Sequence, residues 1–391
     1  MRFLVSSPTT NAFVRALVME LARRDLLDRF HTTLAIGSRR VDRMASHLVV
    51  SHPWRECLRL AAQRVRFAWA TRHETGPLSF DRVAQGLDHS VASSIHSQAG
   101  VYAYEDGALE TFRAAKKLHI RCFYELPIVY FETVQRLCQE EAVRYPAWEP
   151  TLLATRDSAA KLDRKRAEMS LADLVICPSP FVADSIPKEK RAVISPFGSP
   201  EAVPRRQQPV SRGRLRVLFA GTLSQRKGLA DLFAAIRLVN RRDIEWIVLG
   251  TALMPLGFYR KQCPEFVYER PRRHRDALSL MRSCDILVLP SLVEGRALVL
   301  QEAMTCGLPI IVTPNTGGSD LVVPGRTGCL VPIRSPESIA EAILRLADDR
   351  RLLEYMSKEA RRKAAEYTWS QYTNRIVQAI ETQAISPPSV G

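Results

Sequence analysis

The chain has 391 residues, 46% of them hydrophobic and 25% charged, with a formal net charge of +15. That length gives room for two domains with cores of their own. The balance excludes a disulfide-stapled miniprotein, a collagen-like fibre and a wholly disordered chain.

The opening, MRFLVSSPTT, has an apolar run too short for a signal peptide, and Arg2–Ser7 reads as a first strand. A helix is expected over Phe13–Leu26 and a short strand over Thr32–Ile36. Between Val41 and Gln85 the periodicity is weak, except at 54–70, WRECLRLAAQRVRFAWA. There Arg55, Arg59, Arg64 and Arg66 interleave with Leu58, Leu60, Val65, Phe67 and Trp69. Such a helix either lays its apolar stripe on the core, the preferred reading, or lies in the plane of a membrane surface. Strands are expected at Val101–Tyr104 and Arg121–Tyr124, around a helix at Leu109–Lys117. Residues 131–170 read as helical, and ADLVICPS, FVADSI and AVISPF as strand, short helix and strand. This alternation predicts a mostly parallel sheet covered on both faces.

Residues 198–214, GSPEAVPRRQQPVSRGR, break the pattern and form the expected linker. Beyond them strands at RLRVLFAG, IEWIVLG, DILVLPS, LPIIVTP and GCLVP alternate with helices at GLADLFAAIRLV, DALSLMR, LVLQEAMTCG and ESIAEAILRLADD. The final stretch is helical, with a break near Tyr367–Ser370 and a frayed tail. No stretch approaches the ~18–20 apolar residues of a spanning helix. The eight cysteines form no C-x-x-C pair. They read as buried free thiols in a reducing, cytoplasmic setting. The charge surplus is spread over both halves, +6 over residues 1–200 and +9 over 201–391. It favours anionic partners without naming one.

In open parallel sheets ligands bind beyond the carboxyl ends of the strands. In FAGTLSQRKGLADLF, Gly221 closes a strand and Arg226, Lys227 and Gly228 precede a helix. Cations there suit a phosphate or pyrophosphate, although a solvated basic turn would look the same. It is not a P-loop, since Arg226 and Gly228 stand where Gly and Ser or Thr are needed. In DILVLPSLVEGRALVLQEAMTCGLPIIVT, Glu294 closes the loop, Gly295 permits a tight turn and a helix begins around Arg296–Leu298. Its free N–H groups point where an anion can sit. Glu302 lies on that helix among Leu298, Val299, Leu300, Ala303 and Met304. A carboxylate accepts two hydrogen bonds at once and so suits a pair of sugar hydroxyls. In the upstream half, Glu105 and Asp106 of YEDGALE stand where an acceptor hydroxyl could arrive, and suit equally a helix cap. His96 is lone and polar-flanked and reads as a structural or surface residue. No D-x-D pair is present, so cations and helix N–H groups, rather than a metal, are expected to neutralise a diphosphate.

VLFAGTLSQRKG, PSLVEGRALVLQEAMTCGLPIIVTPNTGG and GRTGCLVP together resemble the C-terminal domain of family 4 glycosyltransferases of the GT-B fold. The resemblance is strong over 215–335 and looser upstream, through ADLVICPSPFVADSI and Pro196–Gly198. It implies two doubly wound, Rossmann-like α/β domains facing across a cleft. Residues 1–198 would bind the acceptor, 199–214 link the domains, and 215–366 bind a nucleotide sugar. Residues 367–391 would return as a helix towards the first domain. The family's E-x7-E pattern falls on Glu294, implied to contact the donor sugar, and Glu302, implied to bind the ribose hydroxyls. Lys227 matches the Lys of the family's pyrophosphate clamp. Thr222 stands where its Arg belongs, and Arg226 substitutes from elsewhere in the loop. Arg296-Ala297 replaces the usual Phe-Gly and adds a phosphate or sugar contact. The family's Gly-rich first loop is SSPTTNAF here, and Tyr124 and Glu125 occupy the neighbourhood of its usual His. The donor site is therefore expected from Gly221, Thr222, Arg226, Lys227, Glu294, Gly295, Arg296, Ala297, Leu298, Val299 and Glu302. Catalysis is expected from Glu294, Lys227 and Arg226, with Glu125 and Asp106 on the acceptor side.

The implied reaction is retaining, metal-independent transfer from a UDP- or GDP-sugar to a hydroxyl of a sugar or glycolipid, with no resident cofactor. Departure of the nucleoside diphosphate and front-side delivery of the acceptor would pass through an oxocarbenium-like state. Residues 2–82 carry 14 Lys+Arg against 7 Asp+Glu. That surplus suits an acceptor held on an anionic membrane. The same fold could serve a nucleotide-sugar epimerase or a sugar phosphorylase. A basic nucleic-acid-binding protein is opposed by the lack of a recognition motif and an aromatic content of only 7%.

Overall fold

The computed structural model describes residues 1–36, 43–65, 67–200 and 213–385. The expected linker falls largely on 201–212, and the expected tail on 386–391, outside the described residues. The upstream lobe runs β1 (Phe3–Ser7), α1 (Ala12–Arg23), β2 (Leu27–Thr32), β3 (Val49–Ser51), α2 (Pro53–Arg64), α3 (Phe80–Ala92), β4 (Gly100–Tyr104), α4 (Leu109–Lys117), β5 (Arg121–Glu125), α5 (Phe131–Arg144), α6 (Ala159–Leu171), β6 (Leu174–Cys177), α7 (Pro180–Ala183) and β7 (Ala192–Ile194). The downstream lobe runs β8 (Leu215–Ala220), α8 (Leu229–Val239), β9 (Ile244–Leu249), α9 (Leu256–Gln262), β10 (Phe266–Glu269), α10 (His274–Met281), β11 (Ile286–Leu289), α11 (Leu298–Thr305), β12 (Ile310–Val312), β13 (Gly328–Leu330) and α12 (Pro336–Asp348). Two further helices, α13 (Arg350–Ala365) and α14 (Trp369–Ile385), end the described chain.

The upstream strands form one sheet in the order β3-β2-β1-β4-β5-β6-β7, and the downstream strands a second in the order β10-β9-β8-β11-β12-β13. Every pairing between these strands is parallel. Central strands such as FLVSS, LVIC and ILVL are buried along their whole length. Helices on both faces of a parallel sheet require this, and it explains runs that are apolar rather than alternating. Helix α1 shows the complementary pattern: Phe13, Val14, Leu17, Val18 and Leu21 are buried at helical spacing. The Asn11 side chain accepts from the Val14 N–H and starts the helix there. Helix α14 packs on α1 and on β5, β6 and β7, so Tyr372, Ile376, Val377 and Ile380 complete the core of the upstream lobe.

Three expectations fail in the upstream lobe. Residues 131–170 are not helical throughout: α5 ends at Arg144 and α6 begins at Ala159, with 3-10 turns at Pro146–Thr151 and Leu153–Arg156 between them. The second strand is Leu27–Thr32, not Thr32–Ile36, because α1 stops at Arg23 and the chain turns at Asp25, whose φ is 56°. Its last inward positions are His31 and Thr32, both buried, and polar residues there erase the apolar signal of a strand. The amphipathic segment 54–70 also behaves differently. Only Pro53–Arg64 is helical, and within it only Glu56 and Ala62 are buried. Trp54, Leu58 and Leu60 are exposed rather than packed on the core. Arg66 lies outside the described residues. Among the described residues no helix is long and apolar enough to cross a membrane. Of the eight cysteines, all free, only Cys57 is exposed.

Candidate functional site

The turn after β8 and the loop after β11 meet at the carboxyl ends of the downstream strands. Gly228 has φ 73°, and a Cβ there would stand 2.0 Å from the Pro290 carbonyl oxygen, so only glycine lets the two segments touch. The Leu292 N–H donates to the Arg226 carbonyl at 2.9 Å, which locks one loop to the other. Arg226 and Lys227 then converge on a single carboxylate. Arg226 Nη1 lies 2.7 Å and Lys227 Nζ 2.6 Å from Glu294 Oε1. Arg226 also donates to the Val293 carbonyl at 3.1 Å. Burial works against the Glu294 charge, but the two cations outweigh it and hold the carboxyl below its ordinary range. Burial pushes Lys227 the other way, down from the usual lysine value, against the pull of Glu294. Two cations and one anion leave this cluster with a net positive charge.

Helix α11 starts just beyond, and no side chain caps it. Its first amides, at Leu298 and Val299, therefore add the positive end of a helix dipole to the same place. The Ala297 N–H donates back to the Thr316 carbonyl at 3.3 Å and is not free for a ligand. Glu302 follows about one helical turn, ~6 Å, after Leu298. Its Oε1 lies 3.0 Å from Nε2 of His274, the first residue of α10. Gly221 lines the stem of Lys227: a Cβ there would be 3.5 Å from Lys227 Cε. Thr222 is half-buried beside it.

The clamp is braced from the upstream lobe. Gln225 donates through Nε2 to Glu141 of α5 at 2.6 Å and to Asp231 of α8 at 2.8 Å. Its backbone N–H donates to Thr151 Oγ1 at 3.0 Å. Arg144 pairs with both acids, and Arg334 Nε lies 2.8 Å from Glu141. Ser179 Oγ, at the start of α7, donates to the Gly295 carbonyl at 2.6 Å. A Cβ on Gly295 would stand 1.8 Å from the Pro127 carbonyl oxygen in the loop after β5. The loop after β11 is thus in direct contact with two upstream strand tips.

Four sequence expectations need correction. Arg296 does not face the anion site. Its side chain is fully buried, 2.8 Å from Asp320 and stacked 4.8 Å above the Tyr367 ring, so it braces the region before α14. Glu105 and Asp106 are not free to receive an acceptor. They hold Lys165 Nζ at 2.5 and 2.8 Å. They do not cap α4 either. Glu168 accepts from the Asp106 and Ala108 N–H groups, and Asp88 from those of Glu110 and Thr111. Glu125 is sealed between the hydroxyls of Tyr102 and Tyr372, the latter on α14, and reaches no cleft.

Glu125 has a measurable consequence instead. Burial raises its pKa to about 7, against about 4.3 in an unfolded chain. Between those values the native state keeps a proton that the unfolded chain has lost. Stability therefore falls as pH rises through that window, by about 1.4 kcal/mol per unit for one such group. Glu168, also raised to about 7 by burial, adds a limb of the same sign. Glu125→Gln should flatten the dependence by about one proton's worth. Thermal melts across pH 5 to 7 check it, and an unchanged slope in the variant would refute a protonated Glu125.

Sequence reasoning missed His274 and the brace around Gln225. The basic run RPRRHRD ahead of DALSLMR was the one visible sign of His274. The partners of Gln225 lie 6 and 84 residues away, beyond any local pattern.

Residues 214–349 match the model described as glycosyl transferases group 1. The D-inositol 3-phosphate glycosyltransferase of Paenarthrobacter aurescens is 30% identical over 166 residues, 40% of this chain and 41% of that protein. An uncharacterized glycosyltransferase of Methanocaldococcus jannaschii is 25% identical over 211 residues, 51% of this chain and 57% of that protein. The chain thus spans about half the length of the curated relatives it matches. Among solved structures, sucrose-phosphate synthase from Thermosynechococcus elongatus superposes with a TM-score of 0.68 at 16% identity, covering 98% of this chain and 99% of that one. Anabaena HepE in complex with UDP-glucose superposes with a TM-score of 0.64 at 18% identity, covering 98% and 100%. At those identities the superpositions establish the fold, and they do so over both lobes. The chain has the two-lobed GT-B architecture throughout, and its residues 214–349 match the glycosyl transferases group 1 family.

Proposed function

We propose that this protein is a retaining glycosyltransferase that moves a sugar from a nucleoside diphosphate to an acceptor hydroxyl. One observation carries the reading: Arg226 and Lys227 converge on Glu294 at the uncapped start of α11, with Glu302 a turn further on. In this reading the diphosphate lies against Lys227, Arg226 and the amides of α11. Glu302 holds the ribose hydroxyls, with His274 fixing its orientation, and Glu294 orients the donor sugar. As the bond from the anomeric carbon to the diphosphate oxygen breaks, the cations and the helix start stabilise the charge that develops on the leaving group. The acceptor oxygen bonds to the anomeric carbon on the face the diphosphate leaves, and its proton passes to the departing phosphate oxygen. Configuration is retained. A UDP-sugar is the first donor to try, because HepE was solved with UDP-glucose.

A thermal-shift panel of UDP, GDP, ADP and their sugar conjugates tests this reading. At ~100 times Kd the matching ligand should stabilise the protein by about 2.7 kcal/mol. Glu302→Ala should weaken that ligand roughly tenfold, as expected for two lost hydrogen bonds to hydroxyls. Absence of any shift across the panel would overturn the assignment. Release of epimerised sugar without an acceptor would replace transfer with epimerisation.

A further inference from the structure

We infer that α2 and the turn after it dock the upstream lobe on an anionic phospholipid bilayer. Trp54 is 79% exposed, Val65 73%, Trp69 61%, Leu58 50% and Phe67 49%. All five lie within residues 54–69, whereas the other large apolar side chains of similar exposure are scattered along the described chain. Single exposed apolar residues are ordinary, whereas a contiguous set that includes two tryptophans marks a contact surface. The segment is rich in arginine. Residues 53–73 contain five arginines and one acid, Glu56. That acid is buried and paired with Arg59. Arg55, Arg64 and Arg72 are exposed. Aromatic rings at headgroup depth within a cationic rim are the chemistry that an anionic lipid surface attracts.

The patch is built on a fixed base. Phe67 and Trp69 pack edge to face at 5.0 Å. The turn that carries them is tied to the start of α6. His73 Nε2 lies 2.8 Å from Asp157, the Glu74 carboxylate accepts from the Ser158 N–H at 3.0 Å, and Lys161 bridges Asp81 and Asp157 at 3.0 Å each. Helix α6 leads into β6, so its first turn lies at the carboxyl-terminal edge of the upstream sheet. Pro127 and Ser179 meet the loop after β11 at that same edge. A bilayer on the patch would therefore lie beside the mouth of the cleft. The docking rests on this surface alone. Its use in presenting a membrane-held acceptor rests on the transferase reading.

Cys57 reports on the proposal directly, because it is the exposed thiol of the chain and sits on α2 between Glu56 and Leu58. The full chain, labelled there with an environment-sensitive thiol dye, would be mixed with phosphatidylglycerol–phosphatidylcholine vesicles or with phosphatidylcholine alone. Emission should shift to the blue with the anionic vesicles at low salt, and the shift should fade at high salt. Unlabelled protein should float with the same vesicles. The triple variant Trp54→Ser, Phe67→Ser, Trp69→Ser should float at least roughly tenfold less. The nucleotide-induced thermal shift of that variant should match the parent, which separates a failed docking from a failed fold or donor site. Absence of flotation at low salt, or equal flotation of the variant, would overturn the inference. So would a concentration-dependent dimer in light scattering that the triple variant abolishes, since the patch would then belong to a second copy.

Discussion

Lys227→Ala should lower turnover by roughly 10²–10³, the scale of removing one preorganised charge partner from a developing anion. Lys227 Nζ and Arg226 Nη1 both reach Glu294 Oε1. Without the lysine, one arginine balances one carboxylate, and the net positive charge at the start of α11 is gone. Only about 12% of the lysine side chain is exposed, so its field acts through a medium that screens it less than water does. Negative charge grows on the diphosphate only as the glycosidic bond breaks. The loss should therefore fall mainly on kcat, with a smaller effect on donor binding. Folding should survive, because Glu294 keeps Arg226 and the Leu292–Arg226 backbone bond is untouched. Release of nucleoside diphosphate from whichever donor gives the largest thermal shift measures the effect. A variant with parental turnover and an unchanged melting temperature would refute the clamp.

The cluster of Arg226, Lys227 and Glu294 was legible in part because its residues sit in two short turns. Gly221, Arg226, Lys227 and Gly228 fill one strand-to-helix turn, and Glu294 to Glu302 fill another. Parallel strands buried on both faces wrote the downstream lobe in plain apolar runs. What was illegible depends on distance or on polar residues in apolar places. Arg296 looked like an anion contact because it stands at the helix start. Only the fold brings Asp320 and Tyr367 around it. Glu125 looked like an acceptor-side acid because it occupies the neighbourhood of the family's usual His, but α14 covers it, with Tyr372 coming 247 residues later in the chain. Glu105 and Asp106 read as free acids because Lys165 is 60 residues away. The apolar stripe of α2 read as a core-facing face, since periodicity reports that a helix has two sides and not which one the fold buries.

Gly295→Ala should separate donor binding from turnover. Its single added carbon would stand 1.8 Å from the Pro127 carbonyl oxygen, well inside contact distance, with the Ile128 Cα a further 1.0 Å away at 2.8 Å. Both obstacles are backbone, so no side chain can swing aside. Something must shift by about an ångström or more, and the boundary between the lobes is the place with most freedom to do so. Arg226, Lys227, Glu294 and Glu302 all belong to the downstream lobe. They keep their mutual geometry if the lobes part as bodies. The nucleotide-induced thermal shift should then remain close to the parental one. An acceptor presented by the upstream lobe would be displaced from the anomeric carbon, and a misplacement of that size costs on the order of 10²-fold in rate. Loss of the nucleotide shift together with activity would place the damage inside the downstream lobe instead. Parental turnover would show that transfer does not depend on the contact between Gly295 and Pro127.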